Sequence, residues 1–239
     1  MCGRTDEAIS VMSEIIGRRD IIMRKNVFIL EEHINDEYET DFWMDGYTHL
    51  RAFHACRPLR IEDYFKKGIM PISYNSALQD VKDRIVCDRV SEKEAVSKFQ
   101  EEWSDFADMH KRVWLQMNKK LLLNEASHYL IYGSEFINAL SMKLFCRDRL
   151  KKIGIPTIFF CDIPIDDIDP LTLSNIQDCI NEEWTDDIGF SVDEVDVNNI
   201  VDYEHPTKRM TDPYGGSYKP NYRLLKEYGY VSDRSKISK

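Results

Sequence analysis

Apolar residues recur along this chain at two spacings, and the two spacings predict different elements. Positions three and four residues apart predict helices, whereas short apolar runs between turn residues predict strands. The predicted helices cover residues 5–18, 61–67, 91–120, 135–152 and 171–184. The predicted strands cover residues 25–31, 48–53, 128–132, 157–163, 190–197 and 200–203. Trp103 and Trp114 fall on the apolar face of the longest helix, where we expect both to be core residues.

Strands and helices alternate irregularly, and this order favours an α+β domain over a regular doubly wound sheet. The 239 residues contain neither an internal repeat nor a linker-like segment, so we expect a single domain over residues 1–239. The acidic segment 31–45 is expected to form a surface excursion. The lysine- and serine-rich last dozen residues are expected to fray.

Net charge and cysteine usage narrow the class of protein. The formal charge of -10 opposes passive binding to a phosphate backbone. The six cysteines form no Cys-x-x-Cys pair and show no metal-ligand spacing. We find no secretory signal and no run of the roughly 18 apolar residues that a membrane span needs. We therefore expect a cytoplasmic protein with reduced thiols and no membrane partner.

His54 and Arg57 lie at the end of the strand predicted over residues 48–53, and Pro58 follows them. The helix predicted over residues 61–67 then stops at Gly68, where a left-handed residue is needed. Strand ends of this kind often carry ligand-binding side chains. An imidazole can bond to a ribose hydroxyl, and a guanidinium can pair with a pyrophosphate. The alternative interpretation places both side chains on a surface loop.

Ser134 and Glu135 follow Gly133 at the start of a predicted helix. A hydroxyl and a carboxylate at this position lie beside the positive end of the helix dipole. Glu135 is therefore a candidate for stabilising a cationic sugar transition state, with Ser134 holding a ribose. Ordinary helix capping explains the same residues equally well. The aspartates between residues 162 and 169 lack the glycine and glutamate of a calcium loop, so we predict no metal site.

The segment from His54 to Arg57, with the following helix and Gly68-Ile69, resembles the first motif of ADP-ribosyltransferases. The run 156–164 is similar to a late strand of that family, and the resemblance covers residues 48–75 and 126–170. It implies a split mixed β-sheet core over about residues 25–205, with a helical insertion at about 91–124. It also implies that His54 grips NAD, that Arg57 lies near the phosphates, and that Tyr74 stacks on nicotinamide.

The family places its catalytic glutamate at the start of the late strand, where this chain has Pro156 and Thr157. Glu135 is then the residue expected to supply the carboxylate. The resemblance implies an ADP-ribosyltransferase that uses NAD as co-substrate, without a metal, to modify RNA, DNA or protein. A bacterial toxin or anti-phage effector with a neutralising antitoxin protein is the implied context. The alternatives are a catalytically inactive family member, an unrelated α+β interaction protein, and an NAD-cleaving hydrolase.

Overall fold

The computed structural model describes residues 25–33, 44–212, 216–227 and 229–230. Its strands are β1 (Val27–Phe28), β2 (His49–Cys56), β3 (Val113–Gln116), β4 (Thr157–Pro164), β5 (Gly189–Val192), β6 (Ile200–Glu204), β7 (Met210–Asp212) and β8 (Gly216–Tyr218). Its α-helices are α1 (Leu30–His33), α2 (Tyr64–Lys67), α3 (Tyr74–Arg84), α4 (Glu92–Asp105), α5 (Lys119–Asn124), α6 (His128–Tyr132), α7 (Glu135–Lys143), α8 (Arg147–Leu150), α9 (Pro170–Asn181) and α10 (Tyr222–Glu227). The helix predicted over residues 5–18, most of the acidic segment and the chain after residue 230 lie outside the described residues.

The main sheet has the strand order β5-β3-β2-β4-β6, and β1 pairs in parallel with the start of β2. The other pairs in this sheet are antiparallel. The strands β2 and β4 pair along their whole length, from His49 opposite Pro164 to Cys56 opposite Thr157. A mostly antiparallel mixed sheet combined with helices confirms the predicted α+β class.

The residues of β2 alternate between two faces of the sheet, and both faces are buried. Leu50 and Ala52 face one core, which α9 completes through Ile176. Phe53 and Ala55 face a second core, which is built by α3, α4, α6 and α7. Full burial of a large apolar side chain favours folding by about 1.5–3 kcal/mol, so these two layers fix the position of β2.

The prediction of one helix over residues 91–120 is wrong beyond Asp105. The helix α4 ends at Asp105, and β3 lies inside the segment that was predicted to be a helical insertion. Val113, Leu115 and Met117 are buried and two residues apart, which is the period of a strand. Val113 and Met117 also extend a series of apolar positions at helical spacing, and this overlap misled the prediction. Trp114 alternates with them and is 44% exposed, so its prediction as a core residue is also wrong.

Three further elements differ from their predictions. Residues 128–132 form the helix α6 and not a strand, with the Ile131 N–H donating to the Ser127 carbonyl at 2.9 Å. A short apolar run does not distinguish a buried strand from a buried helical turn. The helix predicted over 135–152 breaks into α7 and α8 at Phe145, which has a φ of 53°. The segment 25–31 contributes only the two-residue strand β1 before α1 begins.

The elements that border His54 and Arg57 are confirmed. The strand over residues 48–53 is β2, and the strand over 157–163 is β4. The helical segment 61–67 is a short 3-10 helix, Ile61–Asp63, that continues into α2, and Gly68 ends it with a φ of 79°. None of the helices in the described ranges is long and apolar enough to cross a bilayer.

Candidate active-site cleft

A cavity of about 420 Å³ opens between β2, β3 and the helices α3, α6 and α7. Its volume lies within the range of about 300–1,000 Å³ that is typical of small-molecule sites. The side chains that matter for chemistry are contributed by five different elements of the fold: His54, Arg84, Trp114, Tyr129, Ser134 and Glu135. We call this cavity the main cleft.

His54 lies on β2, where that strand runs alongside β3. Its Nδ1 atom is 3.0 Å from the backbone carbonyl of Trp114 on β3. Because a carbonyl only accepts hydrogen bonds, Nδ1 carries the proton and Nε2 is left as an acceptor. Burial lowers the pKa of His54, which keeps the ring neutral at pH 7. A neutral imidazole with an acceptor nitrogen suits a ligand hydroxyl.

Glu135 opens α7 at the edge of the main cleft, and its side chain is 52% exposed. The Tyr129 hydroxyl donates to Glu135 Oε1 at 2.8 Å, and His128 Nε2 lies 3.7 Å from the same oxygen. These two contacts, that of His128 above all, lower the pKa of Glu135. The main cleft therefore contains an ionised carboxylate at neutral pH.

A buried aspartate extends this arrangement. Asp212 on β7 has a fully buried side chain, and its Oδ2 atom lies 2.8 Å from His128 Nδ1. His128 thus stands between two carboxylates, with one ring nitrogen toward Asp212 and the other toward Glu135. Such an orienting partner fixes the direction of an imidazole. Sequence reasoning missed Asp212 and His128, and the only signal in the sequence was a histidine shortly before Gly133.

Ser134 is the N-cap of α7, since its hydroxyl accepts from the Ile137 N–H at 3.4 Å. This bond is ordinary helix capping, which was the alternative to a ligand-binding role for Ser134. Ser134 also lines the main cleft beside Glu135. Its capping bond uses the hydroxyl oxygen as an acceptor and leaves the O–H proton as a donor toward a ligand.

Arg57 borders the main cleft, but its guanidinium is engaged elsewhere. The residue is 1% exposed. It donates to three backbone carbonyls, those of Ile153 at 2.7 Å, Leu130 at 2.9 Å and Lys151 at 2.6 Å. The Tyr218 hydroxyl lies 3.2 Å from its Nη2. Arg57 thus bonds to backbone groups that are far from it in sequence, and this placement does not favour the predicted contact with phosphates.

Tyr74 begins α3 outside the lining of the main cleft. Its ring packs against Phe99 and Trp103 in edge-on geometry, with centroids 5.0 and 5.9 Å apart. Trp114 lines the main cleft beside His54 and is 44% exposed. Stacking on a flat ring is therefore better served by Trp114 than by the predicted Tyr74.

A second cavity of about 200 Å³ adjoins the main cleft and shares His54, Trp114 and Tyr129 with it. Asp187, just before β5, lines this second cavity and accepts from Gln116 Nε2 at 2.8 Å. Sequence reasoning did not single out Asp187. The histidine is thus bordered by two cavities, each with its own carboxylate.

Comparisons with protein-family models, with curated proteins and with solved structures found no match to this chain. Within the described ranges, no three His, Cys, Asp or Glu side chains are grouped so that they could hold a metal ion. The function is therefore inferred from the residues that line the two cavities.

Proposed function

We propose that this protein is an ADP-ribosyltransferase that cleaves NAD and transfers ADP-ribose to a macromolecule. The observation that carries the proposal is that His54 and Glu135, which are distant in sequence, line the same cleft. One residue offers a hydroxyl acceptor and the other an ionised carboxylate. These are the two groups that a reaction at a ribose carbon needs.

The chemistry follows from these two groups. Breaking the bond between nicotinamide and ribose sends the electron pair to nicotinamide and leaves a sugar with oxocarbenium character. The Glu135 carboxylate stabilises that positive charge electrostatically. His54 Nε2 accepts a hydrogen bond from a ribose hydroxyl, and Trp114 stacks on a base. A nucleophilic atom of the acceptor then bonds to the sugar carbon and releases its proton.

The start of β4 does not offer an acid for this role. Thr157 is fully buried there, and its hydroxyl bonds to the Ile155 carbonyl at 3.0 Å. Glu135 is the carboxylate that the geometry of the main cleft favours. Asp187 is the competing candidate because it lines the adjoining cavity with His54. Replacing each by its amide, Glu135→Gln and Asp187→Asn, separates the two assignments.

The acceptor and the biological setting belong to the same proposal. The formal charge of -10 favours a brief catalytic encounter over stable binding if the acceptor is RNA or DNA. We propose a cytoplasmic toxin or anti-phage effector that a partner protein neutralises. An NAD hydrolase is the second candidate, since Glu135 is half exposed and open to attacking water.

The proposal is tested by incubating the purified protein with radiolabelled NAD and separate samples of RNA, DNA and total cell protein. Label that becomes covalently attached to one class supports a transferase and identifies its acceptor. Free ADP-ribose without attached label supports the hydrolase. Absence of both NAD cleavage and NAD binding contradicts the proposal and favours an interaction protein.

A further inference from the structure

Arg84 is the last residue of α3, and only 6% of it is exposed. Its Nε atom donates to Asp80 Oδ1 at 3.1 Å. Its Nη2 atom donates to the backbone carbonyl of Arg57 at 2.9 Å. These bonds hold the guanidinium at the end of β2, where it lines the main cleft.

The remaining nitrogen of this guanidinium, Nη1, is buried and has no hydrogen-bond partner among the described residues. A buried charged donor without an acceptor is unfavourable, and native proteins seldom leave one. Gly133, which also lines the main cleft, has no side chain beside it: a Cβ atom added there would lie 4.0 Å from Nη1. Arg84, which lines the main cleft, therefore has a cationic donor that no described residue uses, and Gly133 places no side chain against it.

The charges around Arg84 favour an anion. Asp80, its carboxylate partner, has a side chain that is 39% exposed. The buried Arg57 guanidinium lies close by, and its bonds in the described part of the chain go to carbonyls and a hydroxyl. Arg84 thus pairs with one partly exposed carboxylate, while the described bonds of Arg57 go to neutral groups. A phosphate oxygen would supply the missing negative charge and accept from Nη1.

We propose that Arg84 binds a phosphate of a nucleotide whose sugar lies at His54. The Arg57 carbonyl, to which Arg84 is bonded, is three residues beyond His54, or about 10 Å along the strand. That separation suits a ligand with a sugar at one end of the main cleft and a phosphate at the other. The inference rests on the proposed function for the sugar at His54, while Arg84 replaces Arg57 as the phosphate ligand.

The test compares two ligands that differ only in their phosphates, adenosine and ADP, by isothermal titration calorimetry. The wild-type protein is expected to bind ADP at least about tenfold more tightly than adenosine, and inorganic pyrophosphate should compete with ADP. Arg84→Gln is expected to reduce that preference to about threefold or less. Arg149→Gln is the control. Arg149 lies outside the lining of the cleft and donates to the backbone carbonyls of Arg84 and Val86, so this variant should keep the preference for ADP.

Equal affinity of the wild-type protein for ADP and adenosine would overturn the inference. So would an unchanged preference in Arg84→Gln. If that variant does not fold, Arg84→Lys is used, together with the structure of the wild-type protein bound to ADP. A phosphate within hydrogen-bond distance of Arg84 Nη1 supports the inference, and a phosphate elsewhere overturns it.

The outcomes for Arg84 and for catalysis are separable. A preference for ADP that depends on Arg84, in a protein that never cleaves NAD, would retain the phosphate site and contradict the proposed transferase. NAD cleavage in both proteins, with the same KM for NAD in Arg84→Gln as in the wild-type protein, would support the proposed enzyme and contradict the phosphate site at Arg84.

Discussion

Arg57→Met removes a guanidinium that is 1% exposed and donates to the backbone carbonyls of Ile153, Leu130 and Lys151. Each hydrogen bond to a charged group contributes about 1.5–3 kcal/mol. The Ile153 and Leu130 carbonyls would lose the Arg57 donor, whereas the Lys151 carbonyl would still accept from the Tyr218 hydroxyl at 3.1 Å. Part of this loss is offset because the variant no longer buries a charge. We therefore expect Arg57→Met to lower the free energy of unfolding by about 3–5 kcal/mol.

The measurement is thermal unfolding followed by circular dichroism. For a chain of this size, 1 kcal/mol shifts Tm by about 2–4 °C, so Arg57→Met should melt about 6–20 °C below the wild-type protein. Arg60→Met is the control, since that side chain is 75% exposed and pairs with Asp63 on the surface. An exposed pair of this kind contributes at most about 1 kcal/mol.

One result would contradict a structural role for Arg57. If Arg57→Met melts within a few degrees of the wild-type protein and binds NAD much more weakly, the guanidinium is a ligand-binding group. The predicted contact between Arg57 and the phosphates of NAD would then be supported, and the assignment of the phosphate to Arg84 instead of Arg57 would be weakened.

Three further variants test other parts of the structure. Gly68→Ala should lower the free energy of unfolding by about 3 kcal/mol or more in urea denaturation, because its Cβ would lie 2.2 Å from the Val195 carbonyl oxygen at a φ of 79°. Trp114→Ala should weaken NAD binding about tenfold in calorimetry by removing a stacking surface, with little change in Tm because the indole is 44% exposed. Because His128 lowers the pKa of Glu135 from 4.5, the charged form stabilises the fold above pH 4.5. The Tm difference between wild type and Glu135→Gln should therefore shrink as the pH falls below that value.

The sequence predicted β4 because residues 157–163 form an apolar run after Gly154 and Pro156, and it predicted β2 as the short strand that ends before His54. It did not predict β3, since Val113, Leu115 and Met117 fit the period of a strand, while Val113 and Met117 also continue the helical spacing of the preceding segment. A choice between these two periods depends on pairing with β2 and β5, which is a non-local contact. Local spacing alone does not contain that information.

The candidate site was partly predictable for the same reason. His54 and Glu135 each follow a local signal, a strand end and a helix start, and both lie at the main cleft. The surroundings of Arg57 come from carbonyls roughly a hundred positions later in the chain, which no local pattern reveals. Arg84 and Asp212 carry no motif at all, and only their burial and contacts make them candidates.

The most direct test of the central claim is the rate of nicotinamide release at saturating NAD in wild type, Glu135→Gln and Glu227→Gln. Glu227 is the matched control, since its side chain is 53% exposed and pairs with Arg223. We expect Glu135→Gln to lower the rate by about a hundredfold or more while the Kd for NAD changes by less than about threefold. Glu227→Gln should release nicotinamide at the wild-type rate. An unchanged rate in Glu135→Gln would contradict the account.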